Sequence, residues 1–182
     1  MDDVVRQAMI KWPNVPDCRG WLGLSARGEW FLRDPVAQAA GAFGSGHVGA
    51  RGDRIRHKAL IGFIGRNYAC DEGGQWFFQN GPQRVYVELE RTPWVMRLWP
   101  DGTVRTHTGL KVQPLRCLID ERGMAYLEVS QGLGLVHSQD MDALATCLES
   151  GAWRWEEALG DQLPRRFGYV PSPLAREAGR TP

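Results

Sequence analysis

Several signatures of common protein classes are missing from this 182-residue sequence. Its four cysteines, Cys18, Cys70, Cys117 and Cys147, form no CxxC pair, so zinc-ribbon and thioredoxin-like motifs are absent. No run approaches the roughly eighteen apolar residues that predict a membrane span. The opening Met1-Asp2-Asp3 is acidic and unlike the basic start of a signal peptide. We therefore expect a cytoplasmic protein with reduced thiols and no membrane partner.

The composition is also without a strong charge of one sign. The net charge is +1, which gives no global attraction to nucleic acid or to an anionic membrane. With 43% hydrophobic residues, the chain is long enough to bury a core. We predict a single globular domain over residues 1–160, followed by a Pro/Arg-rich extension over residues 161–182 that includes Arg176 and Arg180.

Local catalytic and metal-binding motifs are missing as well. The four histidines, His47, His57, His107 and His137, do not occur at zinc-ligand spacing. The glycine-rich stretch within residues 34–52 has no Walker lysine, so a flexible surface loop is the favoured interpretation. We expect no catalytic residue, no bound metal and no cofactor.

The most informative stretch is Gln75–Trp94, which has the pattern of a β-hairpin. Asn80-Gly81 is the strongest short signal for a type I′ turn, and proline suits the strand start that follows. This register places Phe77 opposite Arg84 and separates the alternating side chains into two faces. One face has core character and holds Trp76, Phe78, Val85, Val87 and Leu89. The other is mixed and holds Gln75, Phe77, Arg84, Tyr86 and Glu88.

Phe77, Arg84 and Tyr86 on the mixed face are the candidate binding residues. Aromatic residues and arginine are enriched where partners bind. The alternative is that a C-terminal segment or a neighbouring hairpin covers this face, which makes the three residues structural.

A turn pattern recurs three times, at Gly28, Gly74 and Gly123. A polar residue opens each turn, glycine supplies the positive-φ position, and an aromatic residue follows. Asp71 and Asp120 open the second and third turns, and this role makes them poor catalytic candidates. Pro100-Asp101-Gly102 follows the same chemistry with a shorter loop.

Apolar periodicity predicts helices near residues 3–12, 55–67 and 140–150. The fold prediction is therefore α+β: an antiparallel meander of repeated β-hairpins with about three packing helices. One small sheet, two small sheets and a partly closed barrel all fit this pattern. Helices on one face of such a sheet leave the other face available to solvent or ligand.

Three motifs carry a resemblance to a known family: Lys11–Pro16, Gly20–Leu24 and WFFQNGPQRVYVELERTPW at 76–94. In these motifs the sequence resembles a proteobacterial family of unknown function with members of about this length. Its turn and aromatic pattern is also similar to a second bacterial family of repeated β-hairpins, which implies a signalling role. Neither resemblance supplies a catalytic or binding residue.

The leading functional hypothesis is a non-enzymatic binding or interaction module for an unknown protein or small ligand. An alternative is an enzyme with a site assembled across the hairpins, using His107 or His137 as a base. A third is weak nucleic-acid binding through the basic helix of residues 51–66. The near-neutral charge disfavours this third alternative, and the oligomeric state has no signal in the sequence.

Overall fold

The structure is a computed structural model that describes residues 1–99 and 101–179. Pro100 of the predicted short turn and Arg180 of the predicted extension lie outside the described residues. The chain forms two compact units. The first comprises residues 1–25, 29–91 and 169–179, and the second comprises residues 26–28, 92–99 and 101–168. A single domain over residues 1–160 stays a prediction.

The first unit contains a six-stranded sheet in the order β3-β2-β1-β6-β5-β4. Its strands are β1 (Cys18–Leu24), β2 (Trp30–Leu32), β3 (Asp53–Arg54), β4 (Tyr68–Cys70), β5 (Trp76–Asn80) and β6 (Gln83–Leu89). The β1–β6 pair is parallel, and the other four pairs are antiparallel. The local hairpins are thus joined by one long-range pairing.

The second unit contains a seven-stranded sheet in the order β13-β10-β11-β12-β7-β8-β9. Its strands are β7 (Trp94–Leu98), β8 (Val104–Thr106), β9 (Lys111–Val112), β10 (Arg116–Asp120), β11 (Ala125–Val129), β12 (Gly132–Val136) and β13 (Trp155–Ala158). The β7–β12 and β10–β13 pairs are parallel, and the others are antiparallel.

The two sheets share one topology. The order β3-β2-β1-β6-β5-β4 becomes β9-β8-β7-β12-β11-β10 when each strand number is raised by six, and every pair keeps its sense. Among the strands of the described residues, only β13 has no counterpart in the first sheet. The turn between β4 and β5 therefore corresponds to the turn between β10 and β11.

Six α-helices accompany the strands among the described residues. They are α1 (Asp3–Lys11), α2 (Pro35–Ala40), α3 (Lys58–Arg66), α4 (Met141–Glu149), α5 (Leu163–Arg166) and α6 (Pro173–Ala178). The three helices predicted by apolar periodicity are α1, α3 and α4, and they are confirmed. Within residues 1–99 and 101–179, no helix has the length and apolar character that crossing a membrane requires.

The α+β class is confirmed. Of the three arrangements that fit the sequence, which were one sheet, two sheets and a partly closed barrel, the structure has two sheets. The predicted antiparallel meander describes only part of the pairing. The sheets are mixed, because three strand pairs are parallel. The positive φ predicted at three turns is also confirmed, with values of 75° at Gly28, 79° at Gly74 and 74° at Gly123.

The hairpin of β5 and β6 has a different register from the predicted one. Asn80 pairs with Gln83, so the turn residues are Gly81 and Pro82. Gly81 has a φ of 56° at the first central position, which matches a type II′ turn and not the predicted type I′ turn. Phe77 consequently lies opposite Tyr86 instead of Arg84. Because the register moves by two residues, each side chain keeps its predicted face.

Both faces of the first sheet are covered, which corrects the expectation of one open face. On one face the ring of Phe63 from α3 lies 5.4 Å from that of Phe78. On the other, Phe43 occupies the space where Gly23 has no side chain. Phe43 is 1% exposed and belongs to the glycine-rich stretch, so this stretch contributes to the core instead of being only a surface loop. Helix α6 packs against β1 and β6.

Candidate functional site

The three predicted binding residues lie together on β5 and β6. The ring centroids of Phe77 and Tyr86 are 5.8 Å apart, and the guanidinium of Arg84 lies 4.8 Å from the Phe77 ring centroid. Phe77 is 5% exposed and Tyr86 is 3% exposed, whereas Arg84 is half-buried. Solvent therefore reaches this group mainly through Arg84.

Asp71 connects the group to the turn between β4 and β5. Its Oδ1 accepts the backbone N–H groups of Gly73 at 2.9 Å and Gln75 at 2.8 Å. Its Oδ2 accepts the Tyr86 hydroxyl at 3.0 Å. Burial raises the pKa of Asp71, but the hydrogen bonds from Gln75, Tyr86 and Gly73 outweigh it, and the net pKa is lowered. The carboxylate thus stays ionised and fixes both the turn and the tyrosine.

Arg19 of β1 covers the Tyr86 ring. Its guanidinium lies 4.2 Å from the ring centroid and is held by Asp17 at 3.7 Å and Glu177 at 3.4 Å. The Tyr86 ring and hydroxyl are therefore both occupied by neighbours from the same unit.

The C-terminal segment covers the same face beside Tyr86. Glu88, which is 2% exposed, accepts hydrogen bonds from the Ser172 hydroxyl and from the backbone N–H of Leu174 at 3.0 Å. Burial raises the pKa of Glu88 despite these two bonds. Arg176 of α6 donates to the carbonyl oxygen of Gly73 at 2.6 Å. Residues of the predicted C-terminal extension therefore pack on the sheet of the first unit.

An open cavity of about 530 Å³ remains at the edge of this group. It is lined by Cys70, Asp71, Glu72, Gly73, Phe77 and Arg84. Two of the three predicted residues line it, and Tyr86 is not among its lining residues. The volume is in the range typical of small-ligand sites.

Cys70 contributes a thiol to the lining of this cavity. Burial, together with the neighbouring Asp71 carboxylate, raises the pKa of Cys70 to about 11. Because the thiolate is the reactive form, this thiol is a weak nucleophile at neutral pH.

The two histidines of the enzyme hypothesis are in structural positions. His107 is half-buried, its Nδ1 accepts the backbone N–H of Val95 at 3.3 Å, and desolvation of the imidazole lowers its pKa to about 3. His137 Nδ1 accepts the backbone N–H of Gln139 at 3.1 Å at the start of a short 3₁₀ helix. Neither histidine lines the cavity. Among residues 1–99 and 101–179, no group of three His, Cys, Asp or Glu side chains is placed to hold a metal ion.

Three arginines of the basic cluster at residues 51–66 form ion pairs with carboxylates. Arg51 pairs with Glu90, Arg54 pairs with Glu29, and Arg66 pairs with Asp2. The helix itself begins at Lys58, so the three arginines before residue 58 are not on it. This arrangement weakens the nucleic-acid hypothesis, because paired charges have fewer contacts to offer to phosphates.

The sequence places Glu88 on this face but does not identify its hydrogen-bond partners, and Arg19 was missed as a member of the face. A carboxylate among apolar residues of a strand is a signal for a buried polar partner, and Glu88 in the run Val85–Leu89 has this pattern. Nothing local in the sequence indicates that the partner is Ser172.

The family comparison covers nearly the whole chain. The model of the family DUF2944, described as "Protein of unknown function (DUF2946)", matches residues 1–174. The chain belongs to this family. The predicted resemblance to a family of unknown function is confirmed. No curated protein matches the chain.

Two solved structures of DUF1285 family proteins are similar to this chain. The first, from Silicibacter pomeroyi DSS-3, has a TM-score of 0.47 and 16% identity, and the match covers 72% of this chain and 71% of that one. The second, from Shewanella baltica OS155, has a TM-score of 0.45 and 16% identity, with 69% and 90% covered.

Proposed function

We propose that this protein is a non-enzymatic, cytoplasmic bacterial binding module with a regulatory role, and that its first unit binds a small zwitterion. The observation that carries the proposal is the cavity of about 530 Å³ that Phe77 and Arg84 line beside the Asp71 turn. Arg84 offers a cation for a carboxylate or phosphate group, and the exposed Glu72 offers an anion for an ammonium group. Phe77 contributes an apolar wall.

Two further observations support a binding role without catalysis. The raised pKa of Cys70 keeps its thiol protonated, and the cavity has no histidine among its lining residues. All four cysteines are free, as is usual in a reducing compartment. Asp71 is excluded from the ligand contacts because its oxygens already accept bonds from the turn and from Tyr86.

A thermal-shift screen against amino acids and related zwitterions tests this function. A ligand at about one hundred times its Kd is expected to raise the Tm by roughly 5 °C or more. Arg84→Gln is expected to abolish the shift, whereas Arg56→Gln, a matched change at an exposed arginine of the same unit, leaves it intact. A library without any hit at millimolar concentration, or a hit that Arg84→Gln leaves unchanged, overturns the proposal.

A further inference from the structure

A second cavity, also of about 530 Å³, lies beside the Asp120 turn of the second unit. Its lining includes Ile119, Glu121, Trp155, Glu157, Leu159 and Arg166. We propose that this cavity is a second binding site, independent of the first, for a cationic amine carried on an aliphatic chain.

The position of the cavity repeats that of the first one. Cys70, Asp71 and Glu72 line the first cavity, and the corresponding residues Ile119, Asp120 and Glu121 line the second. The correspondence follows from the ladders, since Cys70 pairs with Trp76 and Ile119 pairs with Ala125 on either side of matching turns. A cavity therefore forms twice at the same place in the shared topology.

The apolar wall of the second cavity comes from β13 and the residue after it. Trp155 and Glu157 point to the same face of this strand, because side chains alternate along a strand. The register of β10 and β13 pairs Ile119 with Glu157, so Ile119 lies beside Glu157. Trp155 is 51% exposed and Leu159 is 50% exposed. Large apolar side chains left half-exposed around a cavity indicate a surface that a ligand's hydrocarbon chain can cover.

The charges at this cavity select a cation. Glu157 is an exposed carboxylate beside the Trp155 indole, and a cation over an indole gains further attraction. Glu121 accepts the backbone N–H of Gly160 at 2.9 Å and pairs with Arg122 at 3.5 Å, so it adds little net charge at the rim. The positive charge of Arg166 is balanced within a network, because Arg166 and Arg116 share Glu156 and Arg116 also pairs with Glu128. An ammonium or guanidinium group therefore meets Glu157 while its chain lies along Trp155 and Leu159.

Isothermal titration calorimetry with two probes tests the site on the full chain. Cadaverine represents a free amine, and N-acetyl-lysine methylamide represents a lysine side chain of a protein. Binding of either probe is expected, and the stronger one identifies the source of the amine. Pentane-1,5-diol, which has the same chain without the charge, is expected to give no heat of binding.

Variants separate this site from the one beside Asp71. Trp155→Leu and Glu157→Gln are each expected to weaken binding about threefold or more. Trp99→Leu and Glu149→Gln change exposed residues of the same unit outside the cavity and are expected to bind as the parent does. Arg84→Gln, which changes the first cavity, is also expected to leave amine binding unchanged. Either proposal can therefore be contradicted without the other. Circular dichroism checks that each variant is folded. No heat with either probe at millimolar concentration, or equal weakening by the control variants, overturns the site.

Discussion

The Asp71 turn of the first unit and the Asp120 turn of the second share three hydrogen bonds to their carboxylates, and Asp71 accepts one more from the Gln75 side chain at 3.1 Å. In each, one carboxylate oxygen accepts two backbone N–H groups, at 2.9 and 2.8 Å. In each, the other oxygen accepts a tyrosine hydroxyl, from Tyr86 at 3.0 Å or from Tyr126 at 2.9 Å. The turns differ in the strand that carries the tyrosine, which is β6 in the first unit and β11 in the second.

The two tyrosines do not occupy corresponding positions. Tyr126 corresponds to Phe77, since both follow their aspartate at the same separation in sequence. Across the ladder, Phe77 lies opposite Tyr86, and Tyr126 lies opposite Leu135. The two units thus use the two sides of one cross-strand pair to place a hydroxyl at the same carboxylate oxygen. What the turn requires is a satisfied carboxylate, and this requirement accounts for Tyr86 without a binding role.

The cavities at the two turns also differ in the strands that supply their lining residues. In the first unit Arg84 and Phe77 of the hairpin line the cavity. In the second unit the additional strand β13 contributes Trp155 and Glu157. The shared turn thus fixes where each cavity lies, and the strands around the turn determine which side chains line it.

The largest expected effect is the loss of the buried carboxylate. Asp120 is 6% exposed and Tyr126 is 2% exposed, so Asp120→Ala leaves a buried hydroxyl and two backbone N–H groups without their acceptor. We expect a loss of about 3 kcal/mol in the free energy of unfolding, and about 1.5 kcal/mol for Asp71→Ala, whose site is partly exposed. Urea denaturation measures both.

A third turn supplies the control for this pair. Asp101 accepts a backbone N–H from Thr103 at 2.9 Å, in an exposed turn. Asp101→Ala is expected to cost about 0.5 kcal/mol. If the Asp120 and Asp101 variants lose the same free energy, the tyrosine bond contributes nothing and the comparison of the two turns fails.

A tyrosine exchange tests the equivalence of Phe77 and Tyr126 directly. Tyr86→Phe removes the hydroxyl bound to Asp71 and is expected to cost about 1 kcal/mol. Adding Phe77→Tyr to this variant places a hydroxyl where Tyr126 carries one, so at least half of the loss is expected to return. Phe77→Tyr alone supplies a second hydroxyl to an occupied oxygen and is the control. A double variant less stable than Tyr86→Phe contradicts the equivalence.

Features that depend on a few neighbouring residues were predictable from the sequence. The positive φ at Gly74 and Gly123 follows from the Asp-Glu-x-Gly pattern, because the carboxylate and the glycine determine the turn within five residues. The helices α1, α3 and α4 follow from apolar side chains at helical spacing. The two faces of the Gln75–Trp94 hairpin follow from strict alternation.

Features set by distant residues were not predictable. The parallel pairing of Leu22 with Val87 joins segments far apart in the chain, and no local pattern indicates it. The hairpin turn lies at Gly81-Pro82 because pairing along the whole strand outweighs the preference of Asn80-Gly81. The sequence left open whether a C-terminal segment covers the face of Phe77 and Tyr86, because only the folded chain places Arg19 and α6 against it.

A smaller effect concerns pH and distinguishes the Asp71 carboxylate from a neutral acceptor. The folded pKa of Asp71 is lowered, so its stabilisation is present above the unfolded value of about 3.9 and is lost as the pH falls through the folded value. The side-chain amide introduced by Asp71→Asn accepts the same turn bonds but does not titrate. Because Asp71 is partly exposed, we expect the parent to be more stable than this variant by about 1 kcal/mol or less at pH values near 7. That difference should shrink well below pH values of about 4, since all other groups titrate alike in both proteins. Urea midpoints across this range measure it. A difference that is the same in acid as at neutrality means that the charge of Asp71 does not stabilise the turn.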